Sequence, residues 1–146
     1  MANLNAIQTL TDLAARQSEE AATRLGQANN AKAQAQQKLE LLQEYRKGYA
    51  DQLQAQMAQG LTMSGYSNFQ KFLSTLDQAV AQQMQAVQNS HQLVEKYRNE
   101  WQLSEKKRLS FNTLTQRAEQ AQQHKETKRE QKQTDEYASR AKSVRL

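Results

Sequence analysis

Apolar residues recur along this chain at alternating steps of three and four. The first series runs Leu4, Ile7, Thr11, Ala14, Ser18, Ala21, Leu25, Ala28, Lys32, Ala35, Leu39, Leu42, Arg46, Tyr49 and Leu53. Eleven of these fifteen residues are apolar, and those between them are mostly Gln, Asn, Glu, Arg and Lys. The second series runs Phe69, Leu73, Leu76, Val80, Gln83, Val87, Ser90, Val94, Tyr97, Trp101, Ser104, Arg108, Phe111, Thr115 and Ala118, and ten of these fifteen are apolar. A repeat of 3.5 residues keeps one stripe of a helix facing a partner helix, so each series is a coiled-coil seam. A polar chain without such periodicity would stay disordered.

The composition agrees with helix. The chain has 25 Gln and 20 Ala against four Val and one Ile, with no Pro and four Gly. Straight side chains and alanine lose little rotamer freedom in a helix. Hydrophobic residues make up 37% and aromatics 6% of the 146 residues, too little for a thick multilayer core. Gly26 is a local weak point of the first seam.

Between the seams lies AQGLTMSGYSNFQ, which holds Gly60 and Gly65. Ser67 followed by Gln70 has the S-x-x-Q form of a capping box, which satisfies free amides at a helix start. The expected fold is all-α, a long antiparallel two-helix coiled coil in one domain over 1–146. Helix 1 is expected over about 3–57, a turn over about 58–66 and helix 2 over about 67–140. A turn centred near residue 62 makes the numbers of paired residues add to roughly 125. Leu53 then faces Phe72 and Leu73, Tyr49 faces Leu76, and Ile7 reaches the level of Ala118. Residues 122–146 overhang the first helix, with seven Lys/Arg and four Asp/Glu. No seam supports this stretch, so it should fray unless a partner binds it.

Little here points to catalysis. A two-helix coil has no concave, dehydrated pocket in which reacting groups converge. His91 and His124 are far apart, no His/carboxylate metal spacing occurs, and no glycine-rich phosphate loop is present. No cysteine is available for a disulfide or a thiolate site. The chain is expected to be no enzyme and to need no cofactor. The N-terminus lacks the apolar core of a secretory signal, and nothing approaches the ~20 apolar residues of a membrane span. A cytoplasmic protein is expected, touching a membrane only through a complex.

The net charge of +5 permits an acidic partner without demanding one. The basic clusters SEKKRLSF and KETKREQK are diluted by acids, and the second lacks aromatics for base stacking. Protein binding remains. LLQEYRKGYADQL places Tyr45 beside the first seam and Tyr49 on it, while Phe72 and Ala79 lie beside the second. At the expected register these join Leu42 and Leu76 in one region near the turn. The rings either fill a wide end of the coil or form a docking patch, where aromatics give large contact area at low entropy cost.

LLQEYRKGYADQL, the glycine-containing turn, YSNFQKFLSTLDQAVAQQ and the lone Trp101 resemble the FliJ family of bacterial flagellar export proteins over essentially the whole chain. The resemblance implies a helical hairpin similar to the γ stalk of rotary ATPases. It implies binding to the hexameric export ATPase FliI, promotion of its ring assembly and hydrolysis, and coupling to the membrane export-gate protein FlhA and to export chaperones. The family's gate-binding pattern matches at Leu42, Tyr45, Tyr49, Phe72, Leu76 and Ala79, with Lys38 and Gln83 as weaker matches. The ATPase-facing end would be the terminal one: Leu4, Ile7, Leu10 and Leu13, with Lys125, Lys128, Arg129 and Lys132 of the overhang. Such a hairpin is expected to be monomeric alone. Three other readings stay open: the equivalent stalk of a virulence type III secretion system, a basic coiled coil that binds nucleic acid, and a self-associating structural coil.

Overall fold

The computed structural model describes residues 2–145, and the side chains of residues 4–144. Leu146, the last residue of the expected overhang, lies outside them. Two helices account for the described chain: α1 over Ala2–Gln59 and α2 over Met63–Arg145. They pack against each other as a helical hairpin, as the two seams predict.

The turn is shorter than expected, only residues 60–62. Gly60 ends α1 with φ of 94°, a left-handed conformation that a Cβ would strain, and its amide bonds the Met57 carbonyl at 3.3 Å. The cap of α2 is Thr62, whose Oγ1 accepts the Gly65 amide at 3.1 Å. The expected capping box at Ser67 and Gln70 is therefore wrong. Both residues already lie inside α2, and Gln70 Nε2 donates instead to the Tyr66 hydroxyl at 3.0 Å. Hydroxyl residues occur at both 62 and 67, and the three-residue loop selects the first.

The chain divides into two compact units. The turn unit comprises residues 21–101. Its two segments run antiparallel, because Lys32 contacts His91 and Arg46 contacts Asp77. Its interior is apolar: Ala21, Ala28, Leu39, Leu53, Leu73, Leu76 and Val94 are buried. At this register Ala21 and Ala28 stand level with Trp101 and Val94, so small side chains on α1 make room for large ones on α2. Val94 is 1% exposed.

The terminal unit comprises residues 1–20 and 102–146. It too is antiparallel, with Thr11 bonded to Thr115 and Ser18 to Glu105. Ala14 and Ser18 are its buried side chains among the described residues, while Leu4, Ile7, Phe111 and Thr115 are half-buried. Beyond Gln122, α2 continues to Arg145, with every described side chain from 123 to 144 exposed.

All thirty seam residues are buried or half-buried. The four polar members of the first seam each have a partner on α2. Ser18, Lys32 and Arg46 recur every fourteen residues, and their partners Glu105, His91 and Asp77 recur at the same interval. In each of the three pairs the residue numbers add to 123, close to the expected register. Thr11 donates to the Ile7 carbonyl at 2.8 Å, which leaves its oxygen to accept from Thr115 at 2.7 Å. These rungs specify register. A slip of one heptad in one direction would set Lys32 beside Arg98.

Candidate protein-docking surfaces

In heptad terms, the seam positions a and d are flanked by e on one side and g on the other. In an antiparallel pair, e faces e and g faces g. The two flanks of the turn unit differ chemically. The e flank carries Asp77 and His91, which bond Arg46 and Lys32 of the seam. Near the turn the g flank carries Tyr45 and Lys38 on α1, and Phe72, Ala79, Ala86 and Leu93 on α2, while Arg24 and Glu100 hold the same heptad position farther from the turn.

The aromatic residues singled out in the sequence meet near the turn. The Tyr45 and Phe72 rings are edge-on with centroids 6.5 Å apart. Tyr49 lies 4.5 Å from Phe72 and 4.9 Å from Phe69, centroid to centroid. Quadrupoles favour such tilted pairs over flat stacking. Tyr49 is half-buried and belongs to the packing, whereas Tyr45 is 59% and Phe72 38% exposed. The rings that meet Tyr49 lie closer to the turn than Leu76, because the shorter loop shifts the crossing by about a residue. Leu76 itself is 7% exposed and packs inside the hairpin, so it offers almost no surface. Leu42 and Ala79 are half-buried and Lys38 is exposed. Gln83 is turned inward, where its Nε2 donates to the Ala35 carbonyl at 2.9 Å.

Arg46 sits between the two tyrosines in sequence but faces the other flank, in a bidentate contact with Asp77 that raises the guanidinium's pKa. The cation therefore braces the hairpin and leaves the aromatic flank uncharged at that level. Sequence reasoning missed a second apolar feature at the turn. Met57, Leu61, Met63 and Tyr66 line a shallow open depression of about 310 Å³. Its signal is the absence of any charged residue from Gln52 to Gln70.

In the terminal unit, Leu10 and Leu13 are exposed, as their places off the seam predict, while Leu4 and Ile7 are half-buried. On α2 of the same unit Leu103, Leu109 and Leu114 are also exposed, and the seam analysis had not marked them. Ser18, Glu105 and Arg108 form a small network. Ser18 Oγ donates to Glu105 Oε2 at 2.6 Å, and Arg108 donates to both oxygens of the same carboxylate. The bonds from Arg108 and then Ser18 lower the Glu105 pKa to about 2. Lys125, Lys128, Arg129 and Lys132 are all exposed on the overhang, and Lys125 and Arg129 share a face with Gln122 and Glu126.

Among the described residues no group of three or more His, Cys, Asp or Glu could hold a metal ion. No helix among them is long and apolar enough to cross a membrane. What the surface offers is an exposed aromatic pair near the turn, scattered exposed aliphatic side chains in both units, and cations on an unsupported helix.

The model of the family described as flagellar FliJ protein matches residues 3–145. The chain is 33% identical over 141 residues to the flagellar FliJ protein of Escherichia coli (strain K12), covering 97% of this chain and 96% of that protein. It is 30% identical over 141 residues, with the same coverage, to the flagellar FliJ protein of Salmonella typhi. With the paired helices and these matches along nearly its full length, the chain belongs to the flagellar FliJ protein family.

Proposed function

We propose that this protein is a non-enzymatic coupling component of the flagellar type III export apparatus. It binds the hexameric export ATPase FliI through its terminal unit and promotes ring assembly and hydrolysis. It binds the export-gate protein FlhA through the aromatic flank near the turn, and it contacts export chaperones. The protein acts as a monomer in the cytoplasm and reaches the inner membrane only through the export complex.

The observation that carries this reading is the pair Tyr45 and Phe72, exposed side by side at positions that the family resemblance assigns to gate binding. A hairpin buries one stripe per helix, and rings left outside that stripe gain from a partner that covers them. Tyr49 and Leu76 support the patch from within, since packing holds the exposed rings in place. In the terminal unit, exposed leucines together with a basic helix suit an apolar channel with an acidic rim.

The test is a titration into the cognate ATPase, following ATP hydrolysis and ring assembly together. Saturable stimulation near one copy per hexamer is expected. A chain ending at residue 121 should keep its helical hairpin and lose most of the stimulation. Tyr45→Ala should weaken binding to the cytoplasmic part of the gate protein about tenfold or more with little change in thermal stability, because truncating an aromatic anchor costs ~1.4 kcal/mol or more. No stimulation by the intact chain would sink the ATPase half of the reading. Unchanged gate affinity in Tyr45→Ala would sink the other half.

A further inference from the structure

The g flank of the turn unit extends well past the matched aromatic residues. From Phe72 it continues through Ala79 and Ala86 to Leu93 on α2, and through Tyr45, Lys38 and Ala31 on α1. These residues recur every seven along both helices. Ala79 and Ala86 are half-buried, and the bulky Phe72 and Leu93 at the two ends are exposed. The result is a trough with a small-residue floor and large residues at each end. Phe72 and Leu93 are 21 residues apart, ~32 Å along a helix.

We propose that this trough seats one amphipathic helix of a partner protein, about twenty residues long and acidic beside its apolar seam, completing a local three-helix bundle. The inference rests on the gate-binding reading above and specifies the form of the segment that binds there. Two features choose this occupant. The sevenfold repeat on both walls matches the knobs of a third helix, whereas an extended strand repeats every two residues. The charge is also one-sided. Between Ala31 and Tyr45 on α1, and between Phe72 and Leu93 on α2, Lys38 is the one ionisable residue at a g position. It is exposed, so an acid on the incoming helix would meet a free-standing cation. The e flank is unsuited, because its Asp77 and His91 are already engaged with Arg46 and Lys32.

The experiment uses the full chain and the cytoplasmic part of the cognate gate protein. Affinity is measured for the parent, Ala86→Arg, Met84→Arg, Lys38→Glu and Tyr45→Ala, with a thermal melt of each. Ala86 lies beyond the matched aromatic patch, and Met84 is exposed on the e flank two residues away. Ala86→Arg and Lys38→Glu should each weaken binding at least tenfold, and Met84→Arg less than twofold. Lys38 is exposed, so its variant reports binding even if Ala86→Arg alters folding. Hydrogen exchange on the complex should show one continuous segment of about twenty gate residues becoming protected with helical periodicity. If Tyr45→Ala weakens binding while Ala86→Arg and Lys38→Glu do not, the gate reading survives and the trough is wrong. Protection of a short or extended gate segment also overturns the trough. If no variant changes affinity, the gate reading fails and the trough loses its basis with it.

Discussion

The buried side chains of the turn unit, Ala21, Ala28, Leu39, Leu53, Leu73, Leu76 and Val94, are all apolar. Among the described residues of the terminal unit the buried pair is Ala14 and Ser18, and the seam there includes Thr11, Thr115, Ser104 and Arg108. The same heptad rule thus builds two kinds of interface. One excludes water with leucine, valine and aromatic rings. The other mixes Leu4, Ile7, Ala14, Phe111 and Ala118 with hydroxyls, a carboxylate and a guanidinium, whose bonds exchange with water at little net gain. The lesson is that periodicity specifies which residues face the partner helix, while residue type sets how firmly they hold it.

The sharpest way to break this comparison is hydrogen exchange on the free protein. Amides near Val94 and Leu73 should be the slowest. Amides from about 125 to 144 should exchange orders of magnitude faster, since no apolar contact from α1 covers them. Equal protection along α2 would overturn the contrast. A smaller effect is expected from truncating single core residues. Leu73→Ala should cost ~2–4 kcal/mol by denaturant melt, and Ile7→Ala, half-buried in the terminal unit, ~1 kcal/mol. Similar losses at both sites would mean that the terminal seam packs as tightly as the other.

Gly26→Ala sharpens the same comparison from the opposite sign. The glycine lies within α1, and an added Cβ would meet nothing within 4 Å. The substitution should stabilise the turn unit by ~1 kcal/mol. Any loss would reveal a need for glycine that the open space around it does not explain. The smallest expected effect is a pH dependence confined to the terminal unit. Glu105 has a folded pKa lowered from 4.5 to about 2, so its contribution is present above the unfolded pKa and is lost as pH falls through the window between them. The melting temperature of the parent should therefore fall more steeply than that of Glu105→Gln as pH drops from 4.5 to about 2. Parallel curves would show that the Ser18–Glu105–Arg108 network contributes nothing.

Much of this architecture is legible before folding. The thirty seam positions and the antiparallel pairing follow from where the sparse apolar residues and the turn fall, and the expected register of roughly 125 lies close to the observed 123. Tyr45 and Tyr49 also divide as their positions suggest, one outside the stripe and one within it. The start of α2 departs from the capping-box expectation because Thr62 and Ser67 are both competent caps, and only the length of the closed loop distinguishes them. The inward turn of Gln83 was equally invisible, because a glutamine at a seam position can point to either side until a carbonyl such as that of Ala35 is brought within reach.

Two helices, the covered stripe of each and a reversal near residue 62 are written in the chain's periodicity and local backbone preferences. The pairing of Ser18, Lys32 and Arg46 with Glu105, His91 and Asp77, and the contact of Tyr45 with Phe72 on the opposite flank, follow only from the folded chain. The physical reason is that partner choice across a coil depends on register. Register is settled only when all rungs and the three-residue turn are satisfied together.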